Sequence, residues 1–399
     1  MKHGKIVVFG AGKIGRSFIG QLFGTSGYEV VFVDTDSQLV ENLNRYGRYK
    51  VIARSDEGDS AILIGNVRGI HADDKETVIE ELSAAEISAV SVGQTGLPHV
   101  APLIAQALIL RREKSGDRPL DIILAENMRN AGRFMAEQLI SHLSHDYPLD
   151  KLVGLVETSI GKMAPFDTGT GAGGQHGEAS LLVVAEPYNS LIVDRSAFLN
   201  PVPAISGLEP KENIRAWVDR KLFIHNLGHS SAAYLGYQEF PDAVYLYEVL
   251  DDGKLLNTVR STMLQSAAIL MALHPGEFSS GELTGHIDDL LHRFRNRALR
   301  DTLFRAGCDL FRKLGPDDRL IAPLKAAIKL GKEHDLILNA VIAAVSFRAK
   351  DLDGRYHPDD TRFFAEAAKG TFHIMKTVCG LQRPRRILMT GIKSCRLRY

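Results

Sequence analysis

Lys5-Ile6-Val7-Val8-Phe9-Gly10-Ala11-Gly12-Lys13-Ile14-Gly15-Arg16 is the stretch that decides the fold. Ile6 to Phe9 are apolar and mostly β-branched, the pattern of a buried strand; glycines then break the run, and Arg16 to Phe23 resume with helical spacing. A second apolar run, Glu29 to Val33, ends at Asp34 and leads into a helix-like segment over Ser37 to Leu43. These pieces make one βαβ unit and its continuation. Working outward, strands are expected at Ala61–Ile64, Ile87–Val92, Asp121–Leu124 and Lys151–Val156, with amphipathic helices over Val100–Arg111 and Arg129–His145. Such alternation predicts an α/β domain of the Rossmann type, a doubly wound, mostly parallel sheet covered on both faces.

Gly10-x-Gly12-x-x-Gly15 is short and would say little alone. Its context is specific: it follows a strand, opens a helix, and is followed at the end of the next strand by an acid, Asp34. The first glycine permits the tight turn, the second lets backbone approach a pyrophosphate, and the third lets helix and strand pack closely; N–H groups and the helix dipole then hold the diphosphate. Gly10, Ala11, Gly12, Lys13, Ile14 and Gly15 are therefore expected to bind a dinucleotide. Asp34 would accept hydrogen bonds from both ribose hydroxyls and repel an added phosphate, and Thr35 supplies no compensating cation, so NAD is expected rather than NADP. Ser91 to Gly96 and Ala125-Glu126-Asn127 also end strands at the carboxyl edge, where Asn127 is expected to reach the nicotinamide or a substrate.

The pattern then changes. Thr168 to Gly177 is half glycine, a linker or an active-site flap, and Pro201 to Pro210 is punctuated by proline. From Lys211 onward it is helical, with helices expected at 213–223, 229–235, 243–256, 260–273, 281–297 and 320–347. The expected domains are residues 1–200, an NAD-binding Rossmann-type domain, and 201–382, an all-helical substrate domain, followed by a tail at 383–399 with six Lys or Arg and no acid. That tail is either frayed or an anion-binding element.

Composition narrows the function classes. Across 399 residues, 48 Lys+Arg balance 48 Asp+Glu, which removes the overall basic field that nucleic-acid binding uses. Three cysteines, Cys308, Cys379 and Cys395, form no C-x-x-C pair and no disulfide framework, which points to the cytoplasm. No stretch approaches the ~18 consecutive apolar residues of a membrane span. A small-molecule substrate is expected, with no nucleic-acid or membrane partner, for a monomer or small oligomer.

Two dehydrogenase designs fail on their residues. A zinc site needs a Cys/His/carboxylate cluster, and the chain has neither an H-E-x-x-H pair nor enough cysteine, so no metal is expected. Tyr46-x-x-x-Lys50 matches the short-chain pattern but lies just after the second strand, on the ribose side, and is taken as chance. The third candidate is Lys221-Leu222-Phe223-Ile224-His225-Asn226-Leu227-Gly228-His229. On an α-helix Asn226 and His229 are i, i+3 neighbours, Lys221 lies roughly 12 Å from His229 along the axis, and all three fall within about 140° of arc. Apolar residues nearly surround the segment, so it is expected to be buried. Alcohol oxidation needs a base for the hydroxyl proton, and desolvation lowers a lysine toward neutral pH. Lys221 is then the base, Asn226 holds the developing alkoxide and His229 orients a neighbouring hydroxyl; the alternative is a lysine snorkelling beside an ordinary core Asn and His.

At these residues the sequence resembles the polyol-specific long-chain dehydrogenases. The resemblance rests on Phe9 to Gly20, Ala125-Glu126-Asn127-Met128, Lys221-Leu222-Phe223 with Asn226 and Gly228-His229, Ala233-Tyr234-Leu235-Gly236, Arg293-Phe294 with Asn296, and Asp318-Arg319-Leu320-Ile321 with Pro323-Leu324. It implies metal-independent, NAD-linked interconversion of mannitol 1-phosphate and fructose 6-phosphate. The lysine at Lys221 would be general base or acid, the Asn and His would place the reacting oxygen, and Arg16 would lie near the cofactor phosphates. One stretch departs: (Asn/Asp)-Ser-x-Val-Asp-Arg-Ile-x-Pro in the family is Glu157-Thr158-Ser159-Ile160-Gly161-Lys162-Met163-Ala164-Pro165 here. Cys308 also stands where an arginine is common, and Arg297 where a proline is. A Glu157 carboxylate near the reacting oxygen would have to be protonated or paired, with Lys162 as the candidate partner. Lys162, Arg312, Lys313 and Arg319 are the cations expected to offer a phosphate site. An unphosphorylated polyol or a hexuronate as substrate, and an NAD-binding regulator with a decayed site, stay open as alternatives.

Overall fold

The computed structural model describes residues 4–164, 177–382 and 384. The glycine-rich stretch after Thr168, Cys395 and the basic tail, with the roles expected of them, lie outside the described residues apart from Gly177 and Pro384. The chain divides into two compact units, Met1–Val218 and Asp219–Tyr399.

The first unit carries strands β1 (Lys5–Phe9), β2 (Glu29–Asp34), β3 (Arg48–Ser55), β4 (Gly58–Gly65), β5 (Val67–His71), β6 (Ile87–Val90), β7 (Leu120–Leu124), β8 (Val153–Ile160), β9 (Val183–Ala185), β10 (Leu191–Asp194) and β11 (Leu208–Lys211). Eight of them form the main sheet in the order β11-β10-β8-β7-β6-β1-β2-β5, parallel except where β10 meets β8. Alternation along β1 feeds two cores: Ile6 and Val8 pack with Phe18, Val30 and Phe32 on one face, and Val7 and Phe9 with Val31, Val33 and Ile104 on the other. A strand buried on both faces reads as a continuous apolar run, which is why β1 and β2 were visible in the sequence.

Three expectations need correction. The run at Ala61–Ile64 belongs to β4, which pairs antiparallel with β3 in a separate sheet, β4-β3-β9, and not with the parallel sheet. The proline-punctuated region contributes β11, so sheet structure continues past residue 200, the expected domain limit, and the division falls at Val218. The helix expected at 320–347 is two helices, Ile321–Leu330 and Asp335–Val345, because Gly331 adopts φ 64° and caps the first.

The second unit is helical. Its long helices are Leu227–Glu239, Gly253–Leu273 and Ser280–Phe294. Asp252 caps the second through the Leu255 N–H, and Ser279 with Glu282 forms a capping box on the third. Gly228 brings the first two close: a Cβ there would stand 2.6 Å from the Met263 sulfur.

Candidate active site

The strand order reverses at β1, with β2 on one side and β6 on the other, and a doubly wound sheet opens its ligand crevice at that point. The turns after β1 and β6 touch there. Ser91 N–H donates to Phe9 O at 2.8 Å and its hydroxyl to Gly10 O at 3.1 Å. Gly10 has φ 91°, where an added Cβ would meet Ser91 O at 2.5 Å, and a Cβ on Gly15 would stand 1.9 Å from Gly10 O. Gly12 is different: nothing lies within 4 Å of where its Cβ would be. Gly10 and Gly15 are thus required by the fold, whereas Gly12 faces open space that a pyrophosphate can enter. Asp34 is tied to the same turn, accepting from Ala11 N–H at 2.6 Å and from Asp36 N–H at 3.0 Å. This donor set and open cradle fit a dinucleotide whose ribose lies on Asp34 and whose diphosphate lies on the glycine turn.

The expected helix after the turn begins as a π-helix over Gly15–Gly20 and continues as α over Gln21–Thr25. Tyr49 donates to the Arg16 carbonyl at 2.8 Å inside this wide turn. The Arg16 guanidinium donates to Ala11 O at 2.7 Å and Leu181 O at 2.9 Å, so it braces the glycine turn. Lys13 and Ile14 lie half-buried beside it, and Asn127 is exposed beyond the end of β7. Tyr46 ends a helix while Lys50 lies in β3, so the short-chain pattern has no helical register.

In the second unit Lys221–Asn226 is also π-helical and runs directly into the α-helix Leu227–Glu239. This revises the arc drawn for an α-helix. With i→i+5 bonding, Lys221 and Asn226 lie one turn apart, closer in angle than ideal α geometry gives, and single π turns often mark functional sites. Lys221 keeps some accessible surface, but burial pushes its amine down to about 7, with Arg319 adding to the effect and Asp318 opposing it. His229 Nε2 lies 2.8 Å from Asp301, whose carboxylate also takes Arg305 at 2.6 Å and 2.5 Å. Burial lowers His229, while Arg305 and His229 hold the Asp301 carboxyl far below its usual range. A neutral imidazole beside an ionised carboxylate carries its proton on Nε2, which leaves Nδ1 as an acceptor. Phe294 packs against both His225 and His229, with ring centroids 5.5 Å and 5.2 Å apart.

The structure answers the question raised by the departing stretch. Glu157 does not pair with Lys162: it accepts the Gly132 N–H at 3.1 Å, near the start of the helix Ala131–Ile140, whose N-cap Asn130 supplies no side-chain bond. Burial raises its carboxyl. Lys162 instead donates to Gln21 at 3.0 Å and Asn189 at 2.8 Å. Of the other cations, Lys313 is spent on the Arg305 and Ala306 carbonyls at 3.0 Å and 2.8 Å, while Arg312 and Arg319 both depress Lys221. Among the described residues no group of three or more His, Cys, Asp or Glu is placed to hold a metal, and no helix is long and apolar enough to cross a membrane.

Residues 4–207 match the family model described as mannitol dehydrogenase Rossmann domain, and residues 213–371 match mannitol dehydrogenase C-terminal domain. The chain belongs to the mannitol dehydrogenase family. It is therefore a polyol dehydrogenase, and NAD is its cofactor. Mannitol-1-phosphate 5-dehydrogenase of Brevibacillus brevis is 32% identical over 344 residues, 86% of this chain and 85% of that one. The enzyme of the same description from Halalkalibacterium halodurans is 30% identical over 350 residues, 87% and 89% of the two chains. Among solved structures, Pseudomonas fluorescens mannitol 2-dehydrogenase superposes with a TM-score of 0.72 at 17% identity, covering 92% of this chain and 84% of that one, a likeness of fold. The sequence reading of this mannitol dehydrogenase family member missed Asp301 and Arg305. Asp301 lies 72 residues from His229, and nothing local marks an acid that will pair with a distant imidazole.

Proposed function

We propose that the chain interconverts mannitol 1-phosphate and fructose 6-phosphate, with Lys221 as the group that moves the hydroxyl proton and without a metal. The observation that carries this reading is Lys221 itself, an amine brought to about 7 by burial and set one wide turn from Asn226. The descriptions of the Brevibacillus and Halalkalibacterium relatives support the phosphorylated substrate.

Bound NAD supplies the acceptor and donor of hydride. The chain's residues supply the rest. Neutral Lys221 takes the proton of the reacting hydroxyl at Nζ and, as ammonium, returns it to the carbonyl oxygen in the reverse direction. The Asn226 carboxamide donates to that oxygen as charge develops on it. His229, its Nε2–H held on Asp301, accepts a hydrogen bond from a neighbouring substrate hydroxyl at Nδ1. Arg312 and Arg319, which act on Lys221 through charge, are the cations proposed for the phosphate. Gly10 to Gly15 and Asp34 hold the nucleotide, with Arg16 bracing the turn and Asn127 reaching the nicotinamide. A cytoplasmic monomer or small oligomer completes the proposal.

A panel of mannitol 1-phosphate, mannitol, other sugar phosphates and hexuronates, assayed with NAD and NADP, tests it. NADH should form best from mannitol 1-phosphate, and Lys221→Ala should lower turnover by about 10²–10⁴-fold while NAD binding survives. Equal rates for mannitol and its phosphate, or undiminished turnover in the variant, would overturn it.

A further inference from the structure

Glu126 has no task in the site described above. It lies two residues past the end of β7, is 6% exposed, and its Oε1 accepts the N–H groups of Val92 at 2.9 Å and Gly93 at 3.0 Å. It therefore ties the end of β7 to the turn after β6. Those two bonds occupy one oxygen only. Among the described residues Oε2 accepts no hydrogen bond, and the side chain keeps a little accessible surface. Burial holds this acid up to about 7 against the pull of the two N–H groups. An acceptor that is desolvated, fixed by its sister oxygen and otherwise unengaged is suited to a ligand's donor.

Topology says which donor. A dinucleotide lies across the crevice where the strand order reverses, with its adenosine ribose on the acid ending β2 and its diphosphate on the turn after β1. The remaining half must pass the ends of β6 and β7, on the other side of β1. Glu126 joins those two ends. We propose that Glu126 Oε2 accepts a hydrogen bond from the nicotinamide ribonucleoside half of NAD, from a ribose hydroxyl or the carboxamide NH2. The proposal rests on the NAD assignment and adds to it a residue that positions the reacting half.

Equilibrium binding of ADP, ADP-ribose and NAD to the full-length wild type and to Glu126→Gln separates the possibilities. The amide oxygen of the variant keeps the bonds from Val92 and Gly93 and places an NH2 donor where Oε2 stood. NAD affinity should fall about tenfold, the effect of losing a charge-assisted hydrogen bond, while ADP affinity stays unchanged. A parallel loss for ADP-ribose would assign the bond to the ribose, and loss for NAD alone would assign it to the carboxamide. Glu126→Asp, which withdraws the carboxylate by one methylene, should weaken NAD more than ADP. Unchanged NAD affinity in Glu126→Gln, or equal weakening of ADP and NAD, would overturn the proposal. A wild type that binds ADP but not NAD would instead sink the cofactor assignment beneath it.

Discussion

Two lysines of the helical unit, Lys221 and Lys313, are both brought to about 7, chiefly by burial, yet their surroundings give them different uses. Lys313 is 4% exposed and already donates to two backbone carbonyls, so its proton belongs to the fold. Lys221 keeps accessible surface on the same wide turn as Asn226, which suits the proton transfer proposed for it. The sign of the pH effect follows. Oxidation needs the neutral amine and should rise as pH climbs through about 7 and then level, whereas ketose reduction needs the ammonium and should fall over the same range. Profiles of kcat/KM in both directions check this, and the limb should stay in place in Lys313→Met. A limb that vanished in Lys313→Met would assign the titration to the wrong lysine. The trio proposed for catalysis was legible because Lys221, Asn226 and His229 are close in sequence. The Asp301 partner of His229 and, in the first unit, the Glu126 tie to Val92 and Gly93 were not, because each joins distant segments.

The glycine turn shows how an element can be read in two ways at once. Gly15 is demanded by packing, since its Cβ would overlap the Gly10 carbonyl at 1.9 Å; Gly12 is demanded by nothing within the protein. Gly15→Ala should therefore lower the melting temperature and nucleotide affinity together. Gly12→Ala should leave the melting temperature of the free protein unchanged and weaken NAD binding alone, because the new methyl enters space meant for the diphosphate. Thermal melts with and without NAD distinguish the two, and destabilised apo Gly12→Ala would show that the open space has been misread. Elements differ in legibility for a similar reason. β1 and β2 are buried on both faces and spell continuous apolar runs. β3 escaped notice because only Tyr49, Val51 and Ala53 point inward while Arg48, Lys50 and Arg54 interrupt them, and β5 because Val67-Arg68-Gly69-Ile70-His71 is short and mixed. The π turns were invisible, since hydrophobic spacing over six residues does not separate i→i+4 from i→i+5 bonding.

At the scale of the whole molecule the chain holds two stores of stability that answer to different variables. Nucleotide contacts are assigned to Met1–Val218, whereas the buried Asp301–His229 pair and the half-buried Arg305 that joins it lie in Asp219–Tyr399. Ligand at 100 times its dissociation constant stabilises the state that binds it by about 2.7 kcal/mol. The Asp301 carboxyl, 5% exposed, sits far below the value it has in an unfolded chain; its stabilisation is full above that unfolded value, about 3.9, and drains away as pH falls toward the folded one. Calorimetry should accordingly resolve two transitions. NAD should raise one of them and leave the other in place, and Asp34→Ala should reduce that response. Asp301→Asn should lower the other by about 3–5 kcal/mol at neutral pH, because the guanidinium and imidazole lose their shared counter-charge, and should blunt its sensitivity over roughly pH 4 to 2, where the carboxyl of the unfolded chain takes up a proton that the native one resists. One peak moved by both NAD and Asp301→Asn would mean that the units unfold as a single cooperative body, and the assignment of separate stabilities would fail.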